Sequence, residues 1–238
     1  MLSHIERLKE KPNSLFYLAF SVFAILLAVR ESSMEYLYDF LPVFGRSIPF
    51  FILTIMLYYI YILKGGSAEK LGINWPIPSK SKPKQLVWIL IRATLIFICG
   101  LLLGSIVMEL FDILGHPRAE VLERMAPLVG NPMLGSVLFP VMFVVVMAEE
   151  VLFRGLFMNY LAQIWGNTNK GWILAIFISS LIFGLLHFWQ GSRGMVGTGI
   201  TALIFGFGYY FCKRNIWPIV LAHLAGNTIS LIALATSN

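Results

Sequence analysis

The 238-residue sequence predicts an all-α fold, a polytopic membrane helix bundle with seven transmembrane helices and material for an eighth. Three observations carry that prediction. Hydrophobic residues make up 58% of the chain and charged residues only 13%, with a mean hydropathy of +0.79. A soluble domain carries about a quarter charged residues to clothe its exterior. The apolar residues also run in long blocks, unlike the short alternating strands of a membrane barrel. Most blocks reach the ~20 residues that carry a helix across about 30 Å of hydrocarbon.

The blocks, in order, are 15–29, 47–63, 86–108, 133–161, 172–189, 195–212 and 216–235. Residues 36–44 are too short to span alone and either complete an eighth crossing or lie in the interface. Arg7, Lys9 and Lys11 precede the first block as in a signal peptide. Arg30 and Glu31 follow it in place of a small-residue cleavage site, so the helix is expected to be retained. Cys99 and Cys212 fall in different blocks and form neither a disulfide framework nor a paired-cysteine metal motif.

The net charge of +6 does not indicate nucleic acid, because the basic residues alternate between loops. Eleven lie on the side of the N-terminus: three before the first block, five between Lys64 and Lys84, then Lys170, Lys213 and Arg214. Five lie on the other side: Arg30, Arg46, Arg118, Arg124 and Arg193. Cytoplasmic loops hold the Lys/Arg excess, which places the N-terminus in the cytoplasm.

One integral membrane domain is expected over 1–238, with its core at about 133–236 following the N-terminal helices of 1–132. The basic loop 64–85 interrupts the apolar blocks. Pro76, Pro78 and Pro83 keep it from being a regular helix, and Trp75 would anchor it among anionic headgroups. Gly194, Gly197, Gly199, Gly206 and Gly208 crowd the sixth block, where small residues let helices approach closely.

Ionisable side chains inside membrane helices are costly and mark function or a buried pair. Arg92 lies near the start of its block and can snorkel to the surface. The others fall into three clusters. In the fourth block Glu150 and Arg154 stand at i, i+4, share a face and can neutralise one another. Glu149 is rotated about 100° away and is free to face a cavity. The bland alternative is a single charge cluster of both acids with Arg154 at a helix end. Phe183 and His187 share a face of the fifth block, with Ser180 and Gly184 leaving room beside it; taken alone, such a histidine is more often packed or interfacial. His223 and Asn227 share a face of the seventh block among aliphatic residues, where an interface anchor is a poor explanation.

These clusters resemble the CAAX-protease-and-bacteriocin-processing family, also called Abi, which includes the type II CAAX prenyl endopeptidases. The family pattern E-E-x-x-x-R, F-x-x-x-H and H-x-x-x-N is met by Glu149, Glu150 and Arg154, by Phe183 and His187, and by His223 and Asn227, in that order. Trp217 and Pro218 also fit, and the match covers about 148–227. The resemblance implies an intramembrane endopeptidase in which Glu149 and His187 activate water while His223 and Asn227 stabilise the oxyanion. Residue chemistry agrees: a carboxylate in an apolar cavity is a stronger general base, and fixed imidazole and amide donors stabilise a developing oxyanion.

Two other classes compete. Buried acids and histidines also build proton relays, but the polar residues cluster in the last four blocks and no symmetry relates the two halves. A non-catalytic binding or bacteriocin-immunity protein could keep the same fold. The expected partners are membrane lipids and a peptide or protein substrate. A prenylated CAAX protein, a bacteriocin leader or a signalling-peptide precursor would each suit.

No cofactor is expected. Zinc is the alternative, with His187, His223 and Glu149 as ligands, because the family has often been labelled metalloprotease. The histidines lack the H-E-x-x-H spacing that fixes two ligands on one face, Glu150 is expected to be held by Arg154, and Asn227 is an uncommon zinc ligand. Helix rise sets Glu149 about 24 Å in from Met133 and His223 about 10 Å from the cytoplasmic end of its helix, but His187 about 22 Å beyond Trp172. Reconciling the three depths requires the fourth and fifth helices to project past the cytoplasmic boundary, with irregular backbone over 189–199.

Overall fold

The computed structural model describes residues 48–63, 66–73, 82–115 and 125–237, and every regular element among them is helical. The elements are α1 (Ile48–Leu63), α2 (Lys82–Ile113), α3 (Pro132–Glu150), α4 (Asn159–Ile164), α5 (Asn169–Leu186), α6 (Gly191–Phe211) and α7 (Trp217–Ala235). A π-helical segment, Val151–Met158, joins α3 to α4 in one unbroken run, Pro132–Ile164.

Among the described residues five helical runs are long and apolar enough to cross a membrane: Pro83–Ile113, Pro132–Ile164, Asn169–Leu186, Phe188–Phe211 and Trp217–Ala235. They coincide with five of the apolar blocks, and α1 takes the place of a sixth. The first block, residues 36–44, His4, His116 and Trp75 lie outside the described residues.

Local chemistry sets the helix boundaries. Asn131 Oδ1 accepts a 3.0 Å hydrogen bond from the Leu134 amide, and Pro132 occupies the first turn, where no donor is needed. Thr168 Oγ1 caps α5 through the Gly171 amide at 3.1 Å. Pro83 and Pro218 sit in the first turns of α2 and α7, so the prolines start helices there. Between Ala68 and Leu71 the basic loop forms a short 3₁₀ turn that closes on Gly72, whose φ of 82° suits a residue without a Cβ.

One expectation fails. Residues 191–199 are not irregular: α6 begins at Gly191 and is helical throughout them. The break is confined to His187 and the 3₁₀ turn Phe188–Gln190, closed by Gly191 at φ 71°. The long run explains why the extra irregularity is unnecessary. With 33 residues from Pro132 to Ile164, Glu149 lies near its middle, and α5, running back from Asn169, brings His187 to that level without unwinding α6.

Lipid offers helices little hydrophobic reason to associate, so small residues decide how closely they approach. A Cβ on Gly184 of α5 would lie 2.7 Å from the Met195 carbonyl and 2.9 Å from Gly199 Cα on α6, so the two backbones nearly touch. Gly206 meets Ile176 in the same seam. At the end of the bundle where α2 stops, Arg193 pairs with Asp112 at 2.6 Å and donates to the Met108 carbonyl at 3.1 Å, tying α6 to α2.

Candidate active site

All seven motif residues lie on α3 with its π extension, on α5 and its C-terminal end, and on α7. Glu150 is fully buried and Arg154 is 2% exposed. Arg154 Nη1 stands 3.1 Å from both carboxylate oxygens of Glu150, the pairing expected from their i, i+4 spacing. Arg154 Nη2 also donates to the Ala202 carbonyl of α6 at 3.2 Å, and the guanidinium sits 5.1 Å from the ring centre of Phe183 and 5.6 Å from that of Phe205. A planar cation between two aromatic faces is well suited to a site that water cannot solvate. Arg154 thereby fastens three helices together.

Glu150 does more than sequence spacing indicated. Its Oε1 lies 2.8 Å from His223 Nδ1. An ionised carboxylate only accepts, so Nδ1 carries the proton and Nε2 is turned away from Glu150. That second nitrogen stands 3.7 Å from Glu149 Oε2. The two adjacent acids therefore face opposite edges of one imidazole, Glu150 within hydrogen-bond distance and Glu149 beyond it.

His187 ends α5. Its Nδ1 lies 2.7 Å from the Phe183 carbonyl, which can only accept, so Nδ1 is the donor and the Nε2 lone pair is left available. Phe183 is the hub of the cluster, with its ring centre 4.8 Å from that of His187, 6.5 Å from His223 and 4.9 Å from Phe153. Phe205 lies 5.4 Å from His223 on the other side. Asn227 is half-buried one turn beyond His223, and its side chain has no hydrogen-bond partner among the described residues.

Phe205 and the Ala202 carbonyl carry no motif spacing in α6 that would mark them in the sequence. Asn159, a buried amide inside an apolar run, stands out there only by its polarity. Among the described residues no three His, Cys, Asp or Glu side chains converge to hold a metal ion.

Residues 131–229 match the family described as type II CAAX prenyl endopeptidase Rce1-like. The resemblance drawn from the three motifs is thereby borne out, and every motif residue falls within the Rce1-like match. The uncharacterized protein YyaK of Bacillus subtilis (strain 168) is 35% identical over 96 residues, covering 38% of this chain and 31% of its own length. The chain thus matches less than a third of that relative. No solved structure matches.

Proposed function

We propose that this chain is an intramembrane endopeptidase of the CAAX-protease type that hydrolyses a peptide bond with water activated by Glu149 and His187. The observation that carries the reading is the meeting of Glu149 and His223 at 3.7 Å inside an apolar helix cluster that also holds His187. The protease-family match over the same residues supports it. Water held between the Glu149 carboxylate and His187 Nε2 loses a proton to Glu149 as its oxygen attacks the scissile carbonyl carbon. The oxyanion is received by His223 Nε2–H and the Asn227 side-chain amide. Glu149 then passes its proton to the departing amine as the C–N bond breaks. Glu150, itself paired with Arg154, keeps His223 oriented without touching the reacting atoms.

Purified protein given a labelled peptide library is expected to cleave a subset of it. Glu149→Gln is expected to fold normally and lose about 10²–10⁴-fold in rate. A folded, fully active Glu149→Gln protein would rule the assignment out.

The reaction is proposed to need no metal, with the amide Asn227 and the committed Glu150 as support. Dialysis against a strong chelator is expected to leave activity unchanged. Stoichiometric zinc in active protein, with activity lost on chelation and regained on zinc addition, would make His187, His223 and Glu149 ligands instead. The substrate is proposed to be a membrane-associated peptide: a prenylated CAAX protein, a bacteriocin leader or a signalling-peptide precursor. The N-terminus is proposed to be cytoplasmic.

A further inference from the structure

Asn159 is buried at the point where the π segment returns to α-helix. Its Nδ2 lies 2.8 Å from each of the Arg154 and Gly155 carbonyls, one turn back, and 2.8 Å from the Tyr209 hydroxyl on α6. Tyr209 is fully buried, and its hydroxyl donates onward to the Leu71 carbonyl at 3.4 Å. A side-chain donor that engages carbonyls of the preceding turn competes with the backbone ladder and holds that turn open. Leu71 also packs on Gly155, where an added Cβ would meet the Leu71 carbonyl at 3.2 Å. The next residue, Gly72, accepts the Ile216 amide at 2.9 Å, at the head of the helix that carries His223. Leu71 lies outside the family match, so the wide turn is braced by a part of the chain that the match does not cover.

We propose that Asn159 is a positioning residue that holds the π turn open, and with it the placement of Arg154 and its partner Glu150 against α6 and His223, through the buried chain to Tyr209 and Leu71. The π segment begins directly after the two glutamates and contains Arg154. If the turn tightened to α-helical register, the i, i+4 spacing of Glu150 and Arg154 would survive, but the chain beyond Gly155 would rotate relative to α3 and draw Arg154 off the Ala202 carbonyl of α6. Glu150 would follow Arg154 and shift against His223. The importance of that geometry rests on the reading of Glu149 as the reacting carboxylate, but the geometry itself can be tested without any substrate.

The test is carbodiimide labelling of the full-length protein in detergent, read by mass spectrometry. Glu149 retains 19% side-chain exposure and Glu150 none, so the wild type is expected to label Glu149 and spare Glu150. Asn159→Leu is expected to erode that selectivity by about tenfold, the equivalent of one or two lost hydrogen bonds. Asn159→Ser, which can still bond back to a carbonyl of the preceding turn, is expected to restore part of it. Phe157→Leu, a core variant that lowers stability without touching the chain of hydrogen bonds, is expected to keep it. Unchanged selectivity in folded Asn159→Leu, or equal erosion in Phe157→Leu, would overturn the proposal. If Asn159→Leu does not fold, Tyr209→Phe carries the test: amide exchange across 154–159 must then exceed that of Phe157→Leu, and equal exchange would overturn it. None of these outcomes depends on peptidase activity.

Discussion

Removing one member of the Glu150–Arg154 pair strands the other where water cannot reach it. Glu150→Gln or Arg154→Met is therefore expected to cost about 3–5 kcal/mol, seen as earlier thermal unfolding in detergent. Replacing both with apolar residues of similar size should recover most of that loss, because no lone charge remains. Activity should not recover with it, since His223 Nδ1 would have lost its acceptor. A double variant that regained both would show that Glu150 serves Arg154 alone. The i, i+4 pairs were legible in the sequence because helix geometry alone brings such residues together. The bond from Glu150 to His223 spans 73 positions and depends on how two helices are set against each other, which no local spacing encodes. For the same reason sequence could separate the aims of Glu149 and Glu150 but could not indicate that both acids would close on one ring.

At the scale of the helix, the seam between α5 and α6 bears directly on the site. Gly184 stands three residues before His187, and its missing side chain lets the α6 backbone come up beside it. Gly184→Val is expected to push the helices apart, lower the unfolding temperature and displace His187, so that activity falls further than stability does. Gly100→Val, at a position of α2 where an added Cβ meets nothing within 4 Å, is the matched control and should have little effect. Parallel losses in both variants would mean that the seam has no special role. The helices themselves were readable because a membrane demands an uninterrupted apolar run for each crossing. The π segment was not, because its apolar residues suit an α-helix equally well and only tertiary partners, Asn159 and Tyr209 among them, select the wider turn. The depth of His187 is met by the length of the Pro132–Ile164 run and not by unwinding residues 189–199.

For the molecule as a whole, the unequal lengths of its helices have a further consequence. At 1.5 Å per residue the Pro132–Ile164 run extends about 50 Å, whereas α5, with 18 residues, and α7, with 19, extend only about 27–29 Å. A hydrocarbon layer of about 30 Å matches the short helices to within about 3 Å but not the long run, so the long run must tilt or protrude, and a thicker bilayer would have to thin along the flank formed by its shorter neighbours. His187 and His223 belong to that flank. A thinned membrane lowers the distance water must travel through oil, and a hydrolase consumes one water at every turnover. Reconstitution into vesicles of graded acyl-chain length should therefore give turnover that declines as the bilayer thickens, at constant folded fraction. A rate indifferent to thickness would mean that water arrives along a path enclosed by protein.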